Sequence, residues 1–341
     1  MSVTVDRARF AELLRGMVRR RVLVVGDLMA DEYVFGETSR VSREAPVLIL
    51  RRVGQRVIPG GAGNAVLNLA ALGAEPRPLG VVGAGEMAEA VTVEFAARGI
   101  DVSGVLRDPS RTTIRKTRVM AGGAHGQKQQ VLRIDEEERR PLVEAQVAEL
   151  TERALALTQE VEGVLFSDYG YGTITPALVR RVVAAARERG LPVCADSRYT
   201  LREYRGITYA TPNEVEAAEA WGSAIRDGAS LRAAAEALRK QLGAEFLLLT
   251  RGRDGMVVAE KKGGFTEIPV WGEAEAADVT GAGDTVAATS LLALLSGGTP
   301  VEAAWVASIA AGIVVQKHGA ATTTREEMER VAGSGGKDLL A

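Results

Sequence analysis

Five short apolar runs recur along the chain, at Arg21–Gly26, Leu79–Val82, Gly163–Ser167, Pro192–Ala195 and Glu245–Thr250. Each runs into glycine or charge. Continuous runs of this length suit strands buried on both faces. Helical spacing separates them, near 64–72 (Val66, Leu67, Leu69 and Ala70, with a Gly73 stop), 87–98, 176–189, 213–220 and 228–242. Strands that alternate with helices of this size need crossover connections, which build a parallel sheet covered on both faces. The expected class is α/β, doubly wound and mostly parallel. At 341 residues the chain admits two domains or one large one.

Two stretches break the rhythm. Residues 31–57 and 112–135 are rich in β-branched and charged residues and carry no helical period. Val47–Leu50, Thr112–Val119 and Gln130–Ile134 read as exposed antiparallel strands, with a turn at Gly122-Gly123-Ala124-His125-Gly126. They are expected to form a small accessory sheet, the alternative being edge strands of the main sheet. The organisation expected is one domain over 1–330, with lid inserts at about 31–57 and 112–135 and a flexible tail over 331–341 that begins around Gly333-Ser334-Gly335-Gly336. Phe10, Leu13, Leu14 and Met17 stand at helical spacing among arginines, an amphipathic helix packed on the body and no signal peptide.

Composition excludes several functions. The 42 Lys+Arg nearly cancel 44 Asp+Glu, so a nucleic-acid binder working by bulk charge is not expected. Aromatic content of 4% supplies no stacking platform for single strands. One cysteine, Cys194 in an apolar run, rules out a disulfide framework and a thiolate zinc cluster. His125 and His318, the two histidines, lie far apart. No run approaches the ~20 apolar residues that span a bilayer. A soluble enzyme or binding protein of the cytoplasm is expected, without nucleic-acid or membrane partners.

The chemistry concentrates in Asp278-Val-Thr-Gly-Ala-Gly-Asp284, which feeds a long helix of small and apolar residues. Backbone N–H groups at such a helix start, with the positive end of its dipole, bind phosphate or a developing oxyanion. Gly281 and Gly283 let that backbone approach the anion closely. A carboxylate at Asp284 makes sense as a base beside a transferred phosphoryl group. Helix physics alone leaves open the alternative that Asp284 caps the helix and the glycines only turn the chain. Gly83-Ala-Gly85-Glu-Met-Ala88, with Asp101 beyond it, is a weak dinucleotide fingerprint. A P-loop sequence does not occur.

Asp-x-x-Gly-Ala-Gly-Asp is the signature of the ribokinase-like (PfkB) sugar kinases, and the chain resembles that family over residues 20–325. The resemblance implies a ribokinase-like fold with a β-sheet lid. It implies that Asp284 is the catalytic base, with the amides of Gly281, Ala282 and Gly283 as anion hole. Asp278 then resembles the residue beside a monovalent-cation (K+) site that some members use. Pro59-Gly60-Gly61-Ala-Gly-Asn64 resembles the N-terminal signature, whose glycines and asparagine face the sugar, and Asp27 the aspartate that binds sugar hydroxyls. Asn213-Glu-Val-Glu216 fits the Asn-x-x-Glu motif that organises Mg2+ near the ATP phosphates, Glu216 acting through water. Thr250-Arg-Gly252-Arg-Asp-Gly255 resembles the turn bordering the nucleotide. ATP and Mg2+ are therefore the expected cofactors.

Val25–Asp31 and Tyr33–Val47 resemble the heptose-7-phosphate kinases of the ADP-heptose pathway, which phosphorylate the anomeric hydroxyl of D-glycero-D-manno-heptose 7-phosphate. Gln129–Asp135, Ser167–Tyr169 and Tyr204–Gly206 ahead of Thr211–Asn213 also match. A phosphorylated substrate needs cations, and Lys116, Arg118, Arg133 and Arg198 are the candidates. Asp196-Ser197-Arg198 stands where that subfamily has Asp-Pro-Lys, and Gly170-Tyr171-Gly172 where it has a lysine-glycine. Residues 120–128 also look longer than usual. The subfamily pairs lid strands between subunits, so a homodimer is expected. The bifunctional versions append a nucleotidyltransferase with a His-x-Gly-His motif; two histidines and this length lead one to expect the kinase alone. Kinases for fructose, ribose or a nucleoside, or an idle sugar-binding protein on the same fold, are the alternatives.

Overall fold

The computed structural model describes residues 5–122, 128–272 and 276–334. Helix α1 (Arg7–Gly16) starts where the Asp6 carboxylate accepts the Arg9 N–H at 2.8 Å, and it buries Phe10, Leu13 and Leu14 against the body. Strand β1 (Arg21–Gly26) leads into two long strands, β2 (Leu28–Val41) and β3 (Leu48–Gly61). Helix α2 (Ala62–Ala71), β4 (Glu75–Val82), α3 (Glu86–Ala96) and β5 (Val105–Arg107) follow. A second excursion, β6 (Ile114–Gly122) and β7 (Gln129–Glu136), precedes α4 (Glu144–Thr158) and β8 (Gly163–Asp168). The chain continues through α5 (Pro176–Glu188), β9 (Val193–Ser197), β10 (Tyr209–Ala210), α6 (Glu214–Trp221) and α7 (Gly228–Leu242). It closes with β11 (Phe246–Thr250), β12 (Met256–Glu260), β13 (Phe265–Ile268), α8 (Ala282–Leu295), α9 (Pro300–Val314) and α10 (Arg325–Ser334).

The main sheet has the order β13-β12-β11-β10-β9-β8-β1-β4-β5. It is parallel except for the antiparallel β11–β12 and β12–β13 pairs. Alternation along β1 serves both faces. Val22 and Val24 pack with Ala65, Leu69 and Val286 of α2 and α8, while Leu23 and Val25 pack with Leu150, Leu178 and Val182 of α4 and α5. Residues 284–293 of α8 are all buried, which explains why this helix is small and apolar on every side.

The two excursions form a separate four-stranded sheet, β3-β2-β6-β7, so the edge-strand alternative does not hold. One pairing differs from expectation. β2 and β6 run parallel, Met29 opposite Ile114, because the β4–α3–β5 crossover returns the chain in its original direction. The expected turn at 122–126 falls, beyond Gly122, outside the described residues. Helix α10 runs to Ser334, into the segment expected as tail, and 335–341 are likewise outside the description. Cys194 is a buried residue of β9. No helix among the described residues is long and apolar enough to cross a membrane.

Candidate active site

Strand order decides where a site can form. From β1 the sheet grows one way through β4 and the other way through β8, so the carboxyl ends of β1 and β8 flank a crevice. Open α/β sheets bind ligands at such a point. Asp27 follows β1, Asp168 ends β8, and Tyr169 follows it. The amino end of α8 meets the same place.

Asp284 is the third residue of α8 and is buried, with 4% of its surface exposed. Its Oδ2 accepts the Asn64 Nδ2–H at 2.8 Å and its Oδ1 accepts the Tyr169 hydroxyl at 2.8 Å. Burial pushes its carboxyl up to about 7, against the pull of those two donors; the Asp31 charge pushes the same way and Arg198 opposes it. That value suits a group that must take a proton near neutral pH. Gly281 caps the helix in the left-handed region at φ 80°, and a Cβ there would collide with the Asn64 amide. Glycine is required at that position.

Two expected sugar contacts serve other groups. Asp27 is fully buried, and its carboxylate accepts the backbone N–H groups of Tyr169 (2.9 Å), Tyr171 (3.1 Å) and Thr173 (3.2 Å). It holds a loop and has no surface left for sugar. Burial and the neighbouring Asp168 raise its carboxyl above the ordinary range. Asn64, 1% exposed, directs its amide to Asp284 and accepts from Asn68 Nδ2 at 3.3 Å. The carboxylate that does face this space is Asp31 on β2, seated over Gly60, where an added Cβ would come within 2.5 Å of its Oδ2. Gly61 is buried behind it.

On the side of the small sheet, three of the four cations expected to hold a phosphate are paired. Arg118 Nη1 donates to Asp31 Oδ1 at 2.6 Å, and both residues are buried. Lys116 Nζ donates to Glu137 Oε1 and to the Tyr171 hydroxyl, each at 3.0 Å, and lies 3.3 Å from Asp135. Arg133 pairs with Asp135 at 2.8 Å. The Lys116 and Arg118 contacts join residues 19 to 87 positions apart, so no local pattern announces them, whereas Arg133 and Asp135 are two residues apart on β7. Arg198 is exposed, its guanidinium 5.9 Å from the centre of the Tyr169 ring.

Beyond the α8 turn a cavity of about 750 Å³ opens, lined by Thr250, Gly252, Gly255, Ala282 and Gly283 with an apolar wall of Val270, Val279 and Val286. The residues expected to border a nucleotide thus gather beside the helix start. Asn213 forms a parallel β-bridge with Thr250 of this lining, and with Glu216 it makes a reciprocal cap on α6: Asn213 Oδ1 accepts the Glu216 N–H and Glu216 Oε2 accepts the Asn213 N–H, both at 2.9 Å. One Glu216 oxygen remains for other work. Burial raises its carboxyl. Asp196 accepts from the Thr211 hydroxyl at 3.2 Å, and burial with the facing Asp284 and Glu216 pushes it well above the usual range. Asp278 ties two loops, accepting the Thr280 and Gly319 N–H groups at 2.9 Å each. Burial pushes it up, yet those bonds outweigh burial and hold it low. The dinucleotide reading fails here: the Gly83 N–H is used by Thr113 Oγ1 at 2.9 Å, and α3 opens on Glu86 and Glu89, which repel a pyrophosphate.

Residues 19–327 match the sequence family described as pfkB family carbohydrate kinase. The chain belongs to that family. It is 44% identical over 309 residues to the bifunctional protein HldE of Geobacter metallireducens, covering 90% of this chain and 61% of that one. It is 39% identical over 319 residues to HldE of Citrifermentans bemidjiense, with 93% and 64% covered. The chain therefore spans less than two thirds of the length of these relatives. Arabidopsis thaliana ribokinase complexed with ribose and ATP shares the fold, with a TM-score of 0.70, 19% identity, and 93% of this chain and all of that one covered. Escherichia coli phosphofructokinase-2 in complex with potassium superposes with a TM-score of 0.72 at 17% identity, covering 93% and 98%.

For this sugar kinase, sequence reading missed Tyr169 and Asp31 as site residues. Both lay in segments already singled out, Ser167–Tyr169 and Val25–Asp31. A signal existed for Tyr169: it follows directly on the carboxyl end of a central strand. For Asp31 the signal is strand alternation, which puts it on the same face as Tyr33 and away from Glu32.

Proposed function

We propose that the chain transfers the terminal phosphoryl group of ATP to a sugar hydroxyl, most specifically the anomeric O1 of D-glycero-β-D-manno-heptose 7-phosphate. The observation that carries the catalytic part is Asp284, a buried carboxylate poised near neutrality at the start of α8, between the Asp31–Gly60 row and the 750 Å³ cavity. Asp284 takes the proton from the acceptor hydroxyl. The freed oxygen attacks the terminal phosphorus in line, the bond to the bridging oxygen breaks, and ADP leaves. The first-turn amides at Gly281, Ala282 and Gly283, with the helix dipole, offset charge on the transferred group.

The cavity suits a nucleotide in size and apolar wall. Among the described residues no group of three His, Cys, Asp or Glu is placed to hold a metal. Mg2+ needs no such cage, because it keeps its waters and leans on one or two carboxylates plus phosphates. The free oxygen of Glu216 fits that role through water, and Asp196 stands opposite. Bound there, Mg2+ would neutralise phosphate charge. A K+ ion near Asp278 would reinforce loops that the Thr280 and Gly319 amides already join.

The heptose assignment is supported by the resemblance of residues 25–47 to heptose-7-phosphate kinases and by the HldE relatives. A kinase for an unphosphorylated sugar is the second reading, favoured by the pairing of Lys116, Arg118 and Arg133 with carboxylates. ATP consumption across a panel of sugars and sugar phosphates decides between them. Preference for heptose 7-phosphate is expected; preference for an unphosphorylated sugar overturns the assignment. We also propose a homodimer through the lid, since β7 is exposed along its whole length at the sheet edge.

A further inference from the structure

We propose that Tyr169 is the positioning residue of Asp284, and that the 169–173 loop, anchored on Asp27, sets where it stands. The inference rests on Asp284 being the base. A carboxylate has two oxygens, and here both are pinned: Asn64 holds Oδ2 and Tyr169 holds Oδ1, each at 2.8 Å. With two fixed donors the carboxylate plane has one attitude. The two donors differ in kind. Asn64 stands on α2, a buried helix. Tyr169 stands on a loop whose course is fixed by side chains elsewhere.

That loop is heavily tethered. Asp27 accepts the amides of Tyr169, Tyr171 and Thr173, and Asp168 Oδ1 accepts that of Gly170 at 2.9 Å. The Tyr171 hydroxyl donates to Glu137 and accepts from Lys116 Nζ of the lid strand β6. One short loop therefore touches the base through Tyr169 and the lid through Tyr171. Burial and the Asp284 charge keep the Tyr169 phenol protonated, so it acts as a donor at any working pH.

A donor on a base has a cost and a benefit. It fixes the oxygen for attack, and it lowers the proton affinity that burial would otherwise raise further. The other charged groups facing Asp284 are Asp31 from β2 and Asp196 and Arg198 from the end of β9 and the loop after it. None of these donates a hydrogen bond to it among the described residues, so Tyr169 and Asn64 carry the tuning.

The test compares wild type, Tyr169→Phe and Asp284→Asn in the full chain. Rates with ATP and the preferred acceptor are measured from about pH 6 to about pH 9. For Tyr169→Phe the acid limb of kcat/KM moves up by about one pH unit. The deficit is about tenfold on the acid side, shrinks as pH rises, and leaves KM for ATP unchanged. A profile identical to wild type, or a loss equal at every pH, overturns the proposal. Site-specific 3-fluorotyrosine at 169 keeps the shape and strengthens the donor, so the limb moves the opposite way; an unmoved limb overturns the proposal even where Tyr169→Phe folds poorly. Asp284→Asn separates the two ideas. If it retains turnover, the base assignment falls and this inference with it. If it is inactive and the Tyr169 variants behave as wild type, only this inference falls.

Discussion

Asn64 and Asp284 lie 220 residues apart in the chain and meet through one buried hydrogen bond of 2.8 Å. It joins the Pro59–Asn64 segment to the Asp278–Asp284 segment, two motifs that look independent in the sequence. Gly281 makes the approach possible, since any side chain there would strike the Asn64 amide.

Gly281→Ala is therefore expected to act on both stability and rate. The left-handed backbone costs about 1–2 kcal/mol with a Cβ, and displacing Asn64 removes a buried bond to a carboxylate. Calorimetry should show a lower Tm, and kcat should fall about tenfold or more. A variant with wild-type kcat would mean that Asn64 does not position the base.

Asp284 titrates near 7 in the folded protein, so its two pH effects run in opposite senses. As base it must be ionised, and kcat/KM should rise with pH to a plateau above about 7. For stability, the folded value lies above the unfolded value of 3.8. The stabilising contribution is thus complete below pH ~4 and is lost as pH climbs through ~7. Asp284→Asn should lower turnover by about 10²–10⁴ while melting at a higher temperature than wild type at pH ~8. The gain is bounded by about 4 kcal/mol. An acid limb that stayed flat down to pH ~5 would contradict both statements.

Much of this was readable in the chain. Continuous apolar runs such as Arg21–Gly26 announced the parallel sheet, because strands covered on both faces show no polar alternation. The glycine turn at 281–283 announced the helix start that meets the site. Roles were harder to read than places. Asp27 follows a central strand, as a sugar-binding carboxylate should, yet three loop amides claim it. Lys116 and Arg118 look like phosphate ligands until their carboxylate partners, Glu137 and Asp31, appear across the lid. Pairing of this kind is a tertiary fact with no local signal.

Asp27→Ala tests the tethering role directly. It leaves the amides of Tyr169, Tyr171 and Thr173 without their acceptor inside the protein. An unsatisfied buried donor costs roughly 1–3 kcal/mol, so a loss of at least about 3 kcal/mol is expected even if water rescues part of the set. Urea unfolding should show a lower midpoint with an unchanged slope. Turnover should fall as well, because the loop carries Tyr169. A fold as stable as wild type with reduced sugar affinity would return Asp27 to the sugar.

The lid predicts an assembly. Leu132 and Ile134 on β7 are 53% and 49% exposed, and on the other edge Leu48 of β3 is 50% exposed. Leu132 and Ile134 are two residues apart and share one face of a strand with a free edge, an arrangement that invites pairing with a second copy. Placing lysine at both positions should leave the core untouched, since neither side chain is buried in the protomer. Light scattering should then report the mass of a single 36.1 kDa chain, where wild type gives twice that value. The Tm of the main domain should change little, whereas KM for the sugar should rise, because a lid without its partner closes less firmly over the site. A wild-type chain that is monomeric at working concentrations, or a double-lysine variant that still dimerises, would remove the lid from the interface.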